Sequence, residues 1–569
     1  MLASWAAFGV AFSAAVPIFA AAKAAGIGDA IPVPSVTAVP EQRSIPVNGR
    51  YGLYDVDDFV LTDGRCSNCE TIPQALWYFR DETIAVPRAG LPIAETARGI
   101  TAQADIAQWA AAHLPGTTNS FPPLIWVGSP VDLHNARLSP DGKRIESSGQ
   151  VLAFDVVPKI PLNRSYYNEA SIAYFAGRAL NVRGRIEDGK LTGRMLWPED
   201  FRLDDRAPPT HVDATAESIR GLMRAEPRGG AQSPFLVTTL WERTPGAARH
   251  WQDKPVLAAM VNGAQGDDDE AHGGHFALVT GRVGARGAID DWLANNFYTL
   301  DSFSEKGIIA ATLPLDDYLG DLNSGQAWYR PSYLLVAVLK QQRIPQHLQS
   351  ALNRVYNQFY RHQLVYEHAT MNCASISVDV LRALGWNVPA RGATSKVLAA
   401  VGLPYVAVKE RSLDKARQSY AYLSEDQTRL YPAVAFEELG ADLLKLARGH
   451  PERPLTTFET MLAEDVDALV FLRVPQFPSS RAWGDAPVIS AREYLARFPE
   501  DKSKAQIVPV PPRPFPDEMR DPDLLPPPRS SSDSAVLVWG LVIVLGIPSL
   551  IWWALSRRTR RRRRLEPGI

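Results

Sequence analysis

Cysteine is scarce: Cys66, Cys69 and Cys373 are the only three in 569 residues. So few thiols exclude a fold stapled by a disulfide framework, and a chain of this length has the size to bury a substantial core without staples. Excess charge is also lacking, since 60 basic and 62 acidic residues leave a net charge of −2. Seven of the basic residues sit in the last thirteen positions; without those positions, 53 basic residues face 61 acidic ones, a balance of −8. A mildly acidic body has no electrostatic footprint for nucleic acid, so no nucleic-acid partner is expected. Hydrophobic residues at 46% and charged residues at 21% exclude a wholly disordered chain and a multi-pass membrane bundle. Internal repeats are absent as well.

Long apolar runs are confined to the two ends. Residues 535–555 (AVLVWGLVIVLGIPSLIWWAL) hold 21 positions without a charge, enough to cross a hydrocarbon layer of ~30 Å at ~1.5 Å per residue. Trp552 and Trp553 stand where an interfacial aromatic belt belongs, and Arg557, Arg558 and Arg560 to Arg564 follow. The pattern predicts a transmembrane helix over 535–555 and a basic cytoplasmic tail over 556–569, with the preceding chain on the other side. Residues 5–22 are apolar and run into small residues around Ala22 to Ala25. Residues 1–26 therefore read as a signal peptide or, because a basic leader is missing, as a retained second anchor. Both options place the bulk of the chain in the periplasm, at the bacterial inner membrane.

Between these ends the composition shifts several times. Residues 27–125 form a mixed region around the Cys66-x-x-Cys69 pair. Residues 126–206 read as a small β-rich unit, with strands in VLAFDVV, ALNVRGRI and KLTGRML and turns at Ser139 to Gly142 and Glu187 to Gly189. Residues 207–392 alternate a helix (THVDATAESIRGLMR) with strands FLVTTLW, HFALVTGRV, NNFYTLD and SYLLVAVLK, then an amphipathic helix from Gln346 to Tyr366. Residues 393–506 continue as a mixed helical extension. Nine prolines make 507–534 a semi-rigid linker.

In an oxidising compartment Cys66 and Cys69 are most simply a local disulfide, with a zinc half-site and a redox motif as alternatives. That pairing leaves Cys373 alone. Apolar positions 373, 376, 380 and 384 recur at helical spacing, Gly385 supplies a stop and Asn372 is a good N-cap, so Cys373 opens a helix. There the helix dipole favours the thiolate, and backbone N–H groups face any oxyanion formed beside the sulfur. The alternative is a small buried residue on an apolar helix face. A base is offered by His275, which opens an apolar strand after a Gly pair; His272 lies in the polar approach and reads as solvated. A metal held by His272 and His275 near the Asp267 to Glu270 run is the rival, but the spacing is no established zinc pattern, so neither metal nor cofactor is expected.

A Gly-His at a strand start, an Asn296-Phe297…Asp301 strand, a long helix ending in Tyr, and Asn372-Cys373 opening another helix are similar, in that order, to the circularly permuted papain-like superfamily. That superfamily includes the NlpC-like and lecithin:retinol acyltransferase-like enzymes. The order looks most like the bacterial exported family that includes the lipoprotein N-acyltransferase Lnb; the likeness covers roughly 255–390. It implies an α+β fold, a permuted papain-like domain with an antiparallel sheet packed on helices, here with a β-rich N-terminal region and a C-terminal transmembrane helix. It implies Cys373 as nucleophile and His275 as base, with Asn296 or Asp301 orienting the imidazole. His362 and His368 are candidates for substrate contact. The expected activity is a Cys-His acyltransferase or hydrolase working on an amide or ester of an envelope lipid or lipoprotein. Peptidoglycan is the alternative substrate, and a catalytically silent envelope scaffold is the alternative of a different class.

Overall fold

The computed structural model describes residues 50–54, 84–87, 102–113, 115–116, 124–127, 131–156, 167–225, 234–245, 249–263, 274–297, 311–322, 325–328, 330–360, 366, 371–393 and 395–478. Three short strands come first, β1 (Arg50–Tyr54), β2 (Ile84–Pro87) and β3 (Leu124–Val127), with helix α1 (Ala102–Ala112) before β3. A closed barrel follows. It is built from β4 (Val131–Leu138), β5 (Arg144–Ser147), β6 (Gln150–Val156), β7 (Leu180–Glu187) and β8 (Lys190–Pro198), with α2 (Glu169–Phe175) between β6 and β7. The order β4-β5-β6-β8-β7 is antiparallel except where β6 and β8 run parallel and close the ring. Turn chemistry sets these hairpins: Asp188 and Gly189, at φ 51° and 73°, supply the two left-handed residues that a two-residue connection between β7 and β8 needs.

After α3 (Ala216–Met223) come the strands of the large sheet, β9 (Leu236–Glu242), β10 (Pro255–Asn262), β11 (His275–Arg282), β12 (Leu293–Asn296), β13 (Ala311–Pro314), β14 (Ser332–Leu339) and β15 (Val466–Val474). The sheet has ten strands in the order β1-β3-β2-β13-β12-β11-β10-β14-β15-β9. Every residue of β10 and β14 is buried, which is why these strands read as continuous apolar runs rather than alternating ones. Between strands lie α4 (Leu315–Gly320), α5 (Arg343–Tyr360), α6 (Cys373–Ala383), α7 (Lys396–Lys409), α8 (Leu413–Ser424), α9 (Gln427–Leu430), α10 (Pro432–Arg448) and α11 (Thr457–Asp465). Helices α5, α6 and α10 pack on the middle of the sheet, α5 and α10 against β10 and β11, and α6 against β11. The sheet reaches past both ends of the 207–392 segment expected to hold it, taking β15 from the C-terminal extension and β1 to β3 from the N-terminal region.

One ion cluster joins barrel and sheet. Arg183 of β7, 1% exposed, donates Nη1 to Asp132 (2.8 Å), Nη2 to Asp291 (3.1 Å) and Nε to Asp316 (3.0 Å). Burial works against the guanidinium charge, but Asp132, Asp316 and Asp291 outweigh it and hold Arg183 protonated. Two compact units are distinguished: one spans 18–391 and 427–524, and the described part of the other is the segment 392–426.

One part of the expected architecture is overturned. Among the described residues no helix is long and apolar enough to cross a membrane, which conflicts with a C-terminal transmembrane helix. The longest, α5, has 18 residues but carries polar groups along its length, and the most apolar, α7, has 14, about 21 Å against the ~30 Å needed. Residues 1–26, 507–534, 535–555 and the 556–569 tail lie outside the described residues, as do Cys66 and Cys69.

Candidate functional site

Helix α6 begins at Cys373. The Asn372 side chain accepts hydrogen bonds from the Ala374 and Ser375 amides (3.1 Å each), and Ser375 Oγ accepts from the Asn372 amide (2.8 Å), a complete capping box. Asn372 Nδ2 also donates to Leu430 O at 2.9 Å, tying the cap to α9. The helix stops where Gly385, at φ 102°, lets the Trp386 amide turn back to Leu381 O. Of the amides at this helix start, those of residues 374 and 375 are committed to the cap. The Cys373 amide instead donates to Tyr366 Oη at 3.4 Å, a long bond. The sequence predicts Tyr366 as the end of a long helix; α5 ends at Tyr360, and Tyr366 stands beyond it. Its role beside the cysteine had no signal in the spacing.

His275 is fully buried as the first residue of β11, and its Nε2 bonds Asn296 Oδ1 at 2.5 Å. The strand register explains this pairing. Leu278 faces Asn295, so Ala277 lies opposite Asn296, and the last residue of β12 stands diagonally across from the first of β11. With Asn296 Oδ1 accepting, Nε2 carries the proton and Nδ1 is the basic nitrogen. Gly274 sets up the entry to this strand. It sits at φ 86°, and a Cβ on it would run into Asn262 O, so no larger residue fits.

The neighbouring strand positions carry a separate buried polar network. Thr280, Asn295 and Thr312 meet Gln349 of α5: Thr280 Oγ1 donates to Gln349 Oε1 (2.7 Å), Asn295 Nδ2 donates to the same oxygen (3.0 Å), and Gln349 Nε2 donates to Asn295 Oδ1 (2.9 Å). By alternation along the strands, His275 and Asn296 fall on the other sheet face, with Ala277 and Val279. Tyr356, near the end of α5, donates its hydroxyl to Ala311 O (3.1 Å) and Asn296 O (3.4 Å), so α5 carries the chain to the His275 end of the sheet before it reaches Cys373.

The structure thus brings His275 and Asn296 together and packs the Cys373 helix on the strand that His275 opens. Cys373 itself is 2% exposed, and among the described residues no hydrogen bond joins its thiol to His275. Asp301, the other candidate for orienting the imidazole, lies outside the described residues, as do His272, His362 and His368. Among the described residues no group of His, Cys, Asp or Glu side chains could hold a metal ion.

A cavity of about 290 Å³ lies elsewhere, at the barrel–sheet junction, lined by His134, Asn181, Glu199, Arg282, Asp290 and their neighbours. Arg282 is the last residue of β11 and His275 the first, so cavity and cysteine helix start are not one site. Asp290 in its wall has its carboxyl pushed up by burial and then by Asp291. No protein-family model, curated protein or solved structure matches the chain.

Proposed function

We propose that this protein is a cysteine acyltransferase or hydrolase of the permuted papain-like kind, acting on an ester or amide of a bacterial envelope lipid or lipoprotein. The mechanism requires the Cys373 thiol to reach His275 around the start of β11, since α6 packs with α5 while His275 lies on the opposite sheet face. His275 Nδ1 then takes the proton from the thiol as the sulfur bonds the carbonyl carbon. The tetrahedral oxyanion is met by the Cys373 amide and the Tyr366 hydroxyl. Collapse breaks the bond to the leaving alcohol or amine, which departs with the proton from His275, and a thioester remains on Cys373. An amine or water then attacks that carbonyl, gives its proton to His275, and frees the thiol. The observation that carries this reading is the His275–Asn296 bond of 2.5 Å, an imidazole with an amide partner on the strand against which α6 packs. Support also comes from the capped helix start at Cys373.

A second reading has its own observation. Cys373 at 2% exposure, with no thiol bond to His275 among the described residues, suits a small core residue in a catalytically silent scaffold. Alkylation of Cys373 in the folded, full-length protein separates the two. For the enzyme, iodoacetamide labels Cys373 near neutral pH faster than a free thiol of pKa ~8.5, and His275→Ala and Asn296→Ala both slow it. Labelling only in denaturant means the scaffold.

A further inference from the structure

Of the nine large hydrophobic side chains exposed among the described residues, six fall between positions 397 and 420: Val397, Leu398, Val401, Tyr405, Val408 and Tyr420. Five of them belong to α7, whose twelve residues 397–408 contain no charge. This helix pairs with α8 as a hairpin. Ser395 and Ser412 cap the two helices, each accepting from a backbone amide, and Arg411 makes the turn at φ 49°. The packing is inverted relative to a helix folded in water: the buried positions of α7 are the small Ala399 and Gly402, while Val397, Val401 and Val408 are 73%, 62% and 67% exposed. An apolar helix that turns its large side chains outward is matched to a medium other than water.

Lipid is the medium these residues fit. Lys396 and Lys409 bracket the apolar stretch at its two ends, where ammonium groups on long stems reach a headgroup layer. From 396 to 417 the hairpin carries five basic residues, Lys396, Lys409, Arg411, Lys415 and Arg417, against two acids, Glu410 and Asp414. That excess is complementary to anionic headgroups and opposite to the acidic balance of the body. Tyr405 adds an amphipathic ring beside Lys409, whose Nζ lies 5.8 Å from the ring centre. With 14 residues, α7 is too short to span a bilayer and long enough to lie in its surface. A protein partner would favour a patterned patch with a polar rim; here the lysines stand at the helix ends and the apolar surface is continuous between them.

We propose that the 395–424 hairpin docks on an anionic phospholipid surface, with α7 lying in the headgroup plane and Val397, Val401, Tyr405 and Val408 entering the acyl region. This is independent of whether Cys373 is a nucleophile. The test places a benzophenone amino acid singly at positions 401, 408 and 417 of the full-length protein, reconstituted in vesicles of phosphatidylglycerol and phosphatidylethanolamine. After irradiation, the 401 and 408 proteins are expected to carry phospholipid adducts by mass spectrometry, at least five-fold above the 417 protein. Amides 397–408 are expected to exchange at least ten-fold more slowly than in detergent-free protein without vesicles. In the unlabelled Lys396→Gln/Lys409→Gln variant, helicity is unchanged and that protection falls several-fold. Crosslinks from 401 or 408 to a second copy, to another protein or to another segment of this chain would overturn the proposal, and so would the absence of any adduct.

Discussion

Replacing Arg183 by Met tests how the barrel is held to the sheet. The guanidinium bonds Asp132, Asp291 and Asp316 together, and Asp316 is fully buried, keeping among the described residues its bonds from Asn181 Nδ2 (2.6 Å) and the Asp317 amide (2.7 Å) when Arg183 is gone. Removing one partner of a buried ion pair leaves an uncompensated charge and costs about 3–5 kcal/mol. Arg183→Met should lose that much, read by urea unfolding followed through tryptophan fluorescence near pH 7. Adding Asp316→Asn removes the stranded charge and should recover about 1–3 kcal/mol, a coupling expected of groups in contact. Sign and pH follow from the same picture. Burial raises the Asp316 and Asp290 carboxyls; without the cation they rise further, so the variant's deficit is full only above its own raised values and shrinks as pH falls through them. A loss below about 1 kcal/mol, or one that does not shrink as pH is lowered, would refute the assignment of the cluster as the barrel–sheet tie.

His347 stacks on Trp109 at 4.7 Å, and burial, then the charge of His113, pushes it down from 6.5 to about 4. Because the folded value is depressed, its contribution is complete above about pH 6.5 and is lost as pH falls toward about 4; His347→Gln should flatten the acid limb of the unfolding free energy against pH, read by urea titration, by about 1–2 kcal/mol near pH 5. Asn372→Ala should cost about 1 kcal/mol of stability through the lost cap, and should slow alkylation of Cys373 if its thiolate is helix-stabilised. Gly274→Ala, forced to a left-handed φ of 86° against Asn262 O, should cost about 1–3 kcal/mol in denaturant unfolding. Gln349→Leu leaves Thr280 and Asn295 without their shared acceptor, and should cost about 1–3 kcal/mol; a neutral result would mean the network relaxes onto other partners.

What the sequence disclosed tracks how local each determinant is. VLAFDVV, ALNVRGRI and KLTGRML overlap β6, β7 and β8, and HFALVTGRV and SYLLVAVLK contain β11 and β14, because alternation and flanking turns act over a few residues. The Asn372 cap and the Gly385 stop were legible for the same reason. Strand β15 was not: 466–474 is a short apolar run amid helices, and periodicity does not tell a buried strand from a buried helix segment. The closure of the barrel through parallel β6 and β8 depends on a pairing that no local pattern encodes. At the site, the contact of His275 with Asn296 depends on the register of β11 on β12, and the bond of the Cys373 amide to Tyr366 on tertiary structure that no local spacing encodes.

The placement of β15 also sets a schedule for biosynthesis. It inserts between β14 and β9, pairing residues 466–474 with 332–339 on one side and 236–242 on the other. A nascent chain emerging from the N-terminus completes β9 more than two hundred residues before β15, its sheet neighbour among the described strands, exists. At about 5–20 residues per second, that is a wait of about ten seconds or longer during which β9 and one side of β14 offer unpaired edges. Chains terminated or cleaved before residue 474 should therefore be drawn into insoluble aggregates, whereas loss of the residues after 478 leaves every described strand with its partner.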